Sequence, residues 1–293
     1  MSELICCRKT LRFIVYDVIS LEAAAIRVLS TENLQEKVNL SFKYVNLWET
    51  GVLREVSNEC DDSQVVPAKP ARPINIGGDS NKSTWVKVNP VISAIHGIAH
   101  AESWAMDLFW DCIARYARGY NMPIEFFNEL VLVAGQEARH FNDWSNILIG
   151  YENPYGTLPT HDGLWRCAEE TSHDLTARLA IVNLVYEARG LDTYPLTLKK
   201  FEKVGDKNSV DTLKRNFLEE IQHVEKGVRW FKYRCVQQNI DPLETFHSLV
   251  RQYHPGPLKG PFNETAREAA GMTTDWYKPL TAITASSATT SST

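Results

Sequence analysis

The sequence predicts an all-α chain, with a four-helix bundle at its centre and additional N-terminal and C-terminal helices. Three observations carry this. Apolar residues recur at helical spacing over several long stretches, no stretch alternates convincingly at period two, and Pro- and Gly-containing punctuation separates the helical stretches. The 293 residues are 44% hydrophobic and 23% charged, enough to bury a core without disulfide or zinc staples. Collagen-like, purely coiled-coil and wholly disordered classes are excluded. No apolar run approaches the roughly 20 residues of a membrane helix. A net charge of -5 argues against broad electrostatic capture of nucleic acid.

Residues 1–55 read as an N-terminal helical extension, with one or two helices over 11–52 and Leu21, Ala24, Ala25, Val28 and Leu29 on one face. Residues 56–88 read as an irregular connecting segment. It holds Pro67, Pro70, Pro73, the Gly77-Gly78 pair and the Asp61-Asp62 pair, and is expected to lie over the surface of the helices C-terminal to it. Residues 89–272 form the expected metal-binding bundle. Asn89-Pro90 opens its first long helix, to about Arg118, with proline at the first helical position. A second runs from about Pro123 to Leu148, with a loop after it over 150–163. A third region, 164–189, is broken near His173-Asp174, and a separate short helix comes next, to about Val204. A fourth long helix covers 209–238, and Asp241-Pro242 starts a short one ending near Tyr253. Residues 273–293 read as a tail expected to be disordered, with a Ser/Thr-rich end.

The six cysteines (Cys6, Cys7, Cys60, Cys112, Cys167 and Cys235) have no zinc-ribbon spacing and read as reduced thiols of a cytoplasmic protein. The first residues lack the basic and apolar regions of a secretion signal.

The chemistry lies inside the apolar stripes. Glu137 and His140 share one helix face three positions apart, and so do Glu220 and His223. Glu102 interrupts the stripe Ile95, Ile98, Met106, Phe109, and Glu187 interrupts Ala180, Leu184, Leu191. A buried carboxylate without compensation costs several kcal/mol, so four facing one interior need cations. Two divalent ions would balance them. The order is Glu, Glu-x-x-His, Glu, Glu-x-x-His, with Glu102 and Glu137 35 apart and Glu187 and Glu220 33 apart. This two-fold quasi-repeat is the ligand order of carboxylate-bridged di-iron and di-manganese bundles.

The triplet alone is weak: chance predicts about 0.6 Glu-x-x-His matches at this composition, and four occur. The other two, Glu170-His173 and Glu244-His247, read as surface pairs or as neighbours of the ligands. The ordered set of six is the specific signal. His96 and His100 point away from Glu102 and read as hydrogen-bonded histidines between elements, or as groups beside the site. His100 and Tyr186 are the candidates for supporting roles; no catalytic residue is assigned.

Several segments carry a resemblance. They are Pro70-Ala-Arg-Pro73, His96-Gly-Ile-Ala-His100-Ala-Glu102, Glu137-Ala-Arg-His140-Phe141, His161-Asp-Gly-Leu-Trp165, Glu187-Ala-Arg-Gly-Leu-Asp192, His223 with Gly227-Val-Arg-Trp-Phe231, and Gly260-Pro-Phe-Asn263. With these the chain resembles the ferritin-like family called domain of unknown function 455, and more distantly, through ligand order, the di-iron hydroxylase of a modified tRNA adenosine. The resemblance implies a ferritin-like bundle with a metal site and names no substrate. Gln136 departs from it, where many relatives carry a second acidic residue.

The function expected is a dinuclear metal oxidoreductase that activates O₂ to oxidise or hydroxylate a small-molecule substrate. Its cofactor is two iron ions, with manganese as the alternative. Its metal ligands are Glu102, Glu137, His140, Glu187, Glu220 and His223. The alternatives are a non-enzymatic ferritin-like scaffold and a metal-storage or peroxide-detoxifying protein. A tRNA substrate is disfavoured by the acidic charge. No membrane partner is expected, and the chain is read as a monomer or dimer.

Overall fold

The computed structural model describes residues 20–58, 65–73 and 89–282. The expectations for Cys6, Cys7, Cys60, Asp61-Asp62, Gly77-Gly78 and residues 283–293 of the tail lie outside the described residues, whereas residues 274–280 of that tail are helical, held by burial of Trp276, Tyr277 and Leu280. All described secondary structure is helical, apart from an isolated parallel bridge between Leu258 and Thr281. No described helix is long and apolar enough to cross a membrane. The chain forms two compact units: Met1–Ser172 with Lys200–Thr212, and His173–Lys199 with Leu213–Thr293.

In the first unit, α1 (Leu21–Leu29) and α2 (Leu34–Glu49) precede the long helices α3 (Pro90–Tyr116) and α4 (Ile124–Gly150), and α5 (Gly163–Glu170) comes after them. Side chains start them where the sequence allows: Ser20 Oγ accepts from the Ala23 N–H, Asn33 Oδ1 from Glu36 and Asn89 Oδ1 from Val91. α3 and α4 pack together, with α1 on α3 and α2 on α4. From Ser103 to Ala114, α3 is buried on every side, so it is a central helix rather than a surface one.

That buried run contains Asp107, whose carboxylate meets Lys37 Nζ from α2 at 2.6 Å and Arg72 Nη2 at 2.8 Å. Arg72 also donates to Ser103 Oγ at 3.1 Å and to the Ser103 carbonyl, and it lies 3.5 Å over the Trp104 ring. One carboxylate therefore holds two cations, and Arg72 is pinned to it beside Glu102. Burial holds the Lys37 ammonium below its usual pKa, against the pull of Asp107.

His96 and His100 fasten the chain after α4. His96 Nε2 accepts from the Gly156 N–H at 3.0 Å and from Leu158 at 3.4 Å. His100 Nδ1 meets the Tyr155 hydroxyl at 2.8 Å, and Nε2 meets the His161 carbonyl at 2.8 Å. Burial brings both imidazoles down to about 4.

In the second unit, α6 (Leu175–Arg178) begins behind Asp174, whose carboxylate accepts from the Thr176 and Ala177 N–H groups. It continues as a π-helical segment, Leu179–Tyr186, and then as α7 (Glu187–Val204). The break near His173-Asp174 is present. The separate short helix is not: the chain stays helical from 175 to 204, through Pro195. Proline cannot donate to the carbonyl four residues back. Here Asn263 Nδ2 donates to that carbonyl, on Leu191, at 3.2 Å. Rings reinforce the same stretch: Tyr194 stacks on Phe217, with centroids 3.6 Å apart.

α8 (Lys207–Gln238) and α9 (Pro242–Tyr253) come next, then α10 (Glu264–Ala269), α11 (Thr274–Tyr277) and a 3₁₀ turn. The end of α7 and the start of α8 belong to the first unit. Behind α7, Asp192 receives Arg267 Nε at 2.8 Å and Nη2 at 2.7 Å, and the Asn263 N–H at 2.9 Å. The resemblance segments 187–192 and 260–263 are thus joined by hydrogen bonds. Cys112, Cys167 and Cys235 form no disulfide among the described residues, and burial pushes the Cys235 thiol up to about 11.

Candidate metal centre

Each unit carries its own cluster. In the first, α3 supplies Glu102 and α4 supplies Glu137 and His140, one turn apart. One ligand atom from each lies within 4.8 Å of the others. His140 Nδ1 is 3.6 Å from Glu137 Oε2 and 3.7 Å from Glu102 Oε2. The His140 side chain is fully buried and Glu137 nearly so.

In the second, α7 begins at Glu187, and α8 supplies Glu220 and His223. Their ligand atoms also lie within 4.8 Å of one another. His223 Nδ1 is 3.6 Å from Glu220 Oε2, and its ring is fully buried.

These spacings matter. A nitrogen–oxygen hydrogen bond is about 2.7–3.2 Å long, so 3.6–3.7 Å is too far for one. Two atoms each about 2.1 Å from one ion are about 3.0 Å apart at about 90° and about 3.6 Å apart at about 120°, so the observed spacings lie at the wide end of that range. The donor set therefore fits a divalent ion in each cluster. Imidazole with carboxylate suits iron, manganese and zinc alike.

The π segment sets the second cluster. It ends immediately before Glu187, and π turns occur often at functional sites. Gly227 lies one turn after His223. A Cβ there would overlap the Asn183 carbonyl oxygen of the π segment and touch Leu184 at 3.1 Å. Only glycine lets α8 approach so closely, and that approach fixes Glu187 against Glu220 and His223.

Of the supporting candidates, His100 is held by Tyr155 and His161, and both its ring nitrogens are engaged there. Tyr186 closes the π segment and lies 6.0 Å, centroid to centroid, from His254. The two other Glu-x-x-His matches sit outside both clusters. Glu170 and Glu244 are exposed, while His173 meets the Tyr253 hydroxyl and His247 the Asp275 carbonyl. Sequence reasoning missed the Lys37–Asp107–Arg72 cluster. Its signal was available, since Asp107 interrupts the same apolar helix as Glu102.

A family profile matches residues 30–278, most of the chain. The chain belongs to the family described as "Protein of unknown function (DUF455)". An uncharacterized protein of Haemophilus influenzae is 31% identical over 264 residues, covering 85% of this chain and 90% of the relative. No solved structure matches the chain. All six cluster residues fall within the part matched by the DUF455 profile.

Proposed function

We propose that the two clusters are halves of one dinuclear centre, and that the chain is a ferritin-like, carboxylate-bridged di-iron oxidoreductase. The observation that carries this reading is the likeness of the halves. Each has one glutamate from one helix and a Glu-x-x-His pair from another, with the same Nδ1-to-carboxylate spacing of 3.6 Å within the pair. The quasi-repeat spacing of 35 and 33 residues pairs α3 with α7 and α4 with α8 as the four core helices.

Glu102, Glu137, His140, Glu187, Glu220 and His223 would hold the ions, with two glutamates shared. Bound iron of this kind supplies O₂ activation at open positions. The chain's own contribution is to hold the imidazoles with Nδ1 toward the carboxylates, to exclude water through complete burial of both rings, and to present four carboxylates whose charge two divalent ions would balance. The substrate is taken to be a small molecule.

The test is metal content and spectrum. Anaerobic ferrous loading should give two irons per chain, and exposure to O₂ should raise a near-ultraviolet absorption band. Glu137→Ala should lower iron content and abolish the band. Two manganese ions and release of oxygen from peroxide would replace this reading with a catalase. No metal uptake, with an unchanged melting temperature, would leave a scaffold protein and refute it.

A further inference from the structure

The second unit contains a cavity of about 340 Å³, in the range of small-molecule sites. Its walls come from the end of the π segment, from α7, and from the chain between α9 and α11. It is not the metal centre. On an α-helix each residue turns about 100°, so Arg189 projects about 200° and Asp192 about 140° round α7 from Glu187. Both line the cavity, so it lies behind the helix face that carries Glu187.

Its polar lining is cationic. Arg189, Lys259 and Arg267 face a single carboxylate, Asp192. That carboxylate is already committed to Arg267 through two hydrogen bonds and to the Asn263 N–H. Arg267 is buried, with 4% of its side chain exposed, and lies against both the Phe262 and the Tyr277 ring. Its third nitrogen, Nη1, donates to Met272 Sδ at 3.2 Å, and a thioether is a weak acceptor for a buried guanidinium. Arg189 Nη1 donates to the Lys259 carbonyl, which brings the two cationic residues to one rim. The Lys259 ammonium has no partner among the described residues. The remaining walls are apolar and aromatic: Tyr186, Phe262, Leu258 and prolines.

We propose that this cavity binds a small organic anion, a phosphate or carboxylate on an apolar or aromatic body. The anionic group meets the rim of Arg189 and Lys259 and the Nη1 edge of Arg267, where charge-assisted hydrogen bonds replace a thioether contact. The body lies against Phe262 and Tyr186. The site is separate from the metal clusters and does not depend on the oxidoreductase reading.

The test is calorimetric titration of the full chain with phenyl phosphate, in the presence of a chelator. Saturable binding is expected. Benzyl alcohol, which lacks the charge, and inorganic phosphate, which lacks the body, should each bind at least tenfold more weakly. The double variant Arg189→Gln with Lys259→Gln changes two exposed side chains and should weaken phenyl phosphate at least tenfold. Met272→Leu, which removes the thioether, should keep the binding, and so should Glu187→Gln. Absence of saturable binding, undiminished binding in the double variant, or binding that disappears on chelation or in Glu187→Gln would overturn the proposal. Equal binding of inorganic phosphate would overturn the part assigned to the body.

Discussion

Substituting His96 by glutamine separates the acid sensitivity of one buried imidazole from that of the rest of the chain. His96 is 3% exposed, and its Nε2 accepts two backbone N–H groups, so the fold requires it neutral. Burial brings its pKa from 6.5 to about 4. The unfolded chain therefore takes up a proton that the folded chain refuses. Stability from this group is complete above pH 6.5 and is lost as the pH falls toward 4. At pH 5 the loss, allowing for some solvent screening, is about 1–2 kcal/mol. Glutamine can offer its carbonyl oxygen to Gly156 and Leu158 and cannot be protonated in this range. His96→Gln is therefore expected to cost stability at pH 7.5, and the gap to wild type should narrow by about 1–2 kcal/mol at pH 5. Urea unfolding of both proteins at four pH values between 7.5 and 5, at fixed salt, measures this. Parallel stability curves would refute the assignment of His96 as an acid-labile fastening.

Three further outcomes are expected from the packing. Gly227→Ala puts a Cβ against the Asn183 carbonyl and should cost about 2–4 kcal/mol in denaturant unfolding, with reduced metal retention. Asp107→Asn leaves Lys37 and Arg72 buried without their shared carboxylate and should cost about 3–5 kcal/mol, whereas Lys37→Met should cost clearly less, because Arg72 still holds Asp107. Asn263→Ala removes both the cap of α10 and the donor to the Leu191 carbonyl. A loss of about 1–3 kcal/mol is expected, and hydrogen exchange should be faster around Pro195.

The long helices were legible because they bury one stripe at constant period. α3, α4, α8 and α9 lie within about two residues of where spacing and punctuation put them. The two Glu-x-x-His pairs were legible for the same reason, since i and i+3 face together on any helix. Structure that depends on distant residues escaped. Pro195 reads locally as a stop, and only Asn263, 68 positions on, supplies the missing donor. Six of the eight residues of the π segment are Leu, Ala, Ile or Val, which carry no local sign of a wider turn; its close contact is with Gly227. Arg72 was visible as part of a motif, but its purpose needed Asp107 and Lys37 beside it.

The π segment also changes how length variation among relatives should be judged. A wide turn holds a surplus residue relative to an α-helix, so a relative one residue shorter between 179 and 186 can revert to the ordinary coil. The wide turn absorbs the surplus residue, so the helix on either side would keep its facing, with Glu187 still toward Glu220 and His223. A one-residue deletion confined to that window is therefore compatible with an intact second cluster. The same change inside the helices, between Glu187 and Val204 or between Lys207 and His223, would move the glutamate relative to its histidine partner and should be rare wherever the cluster is kept.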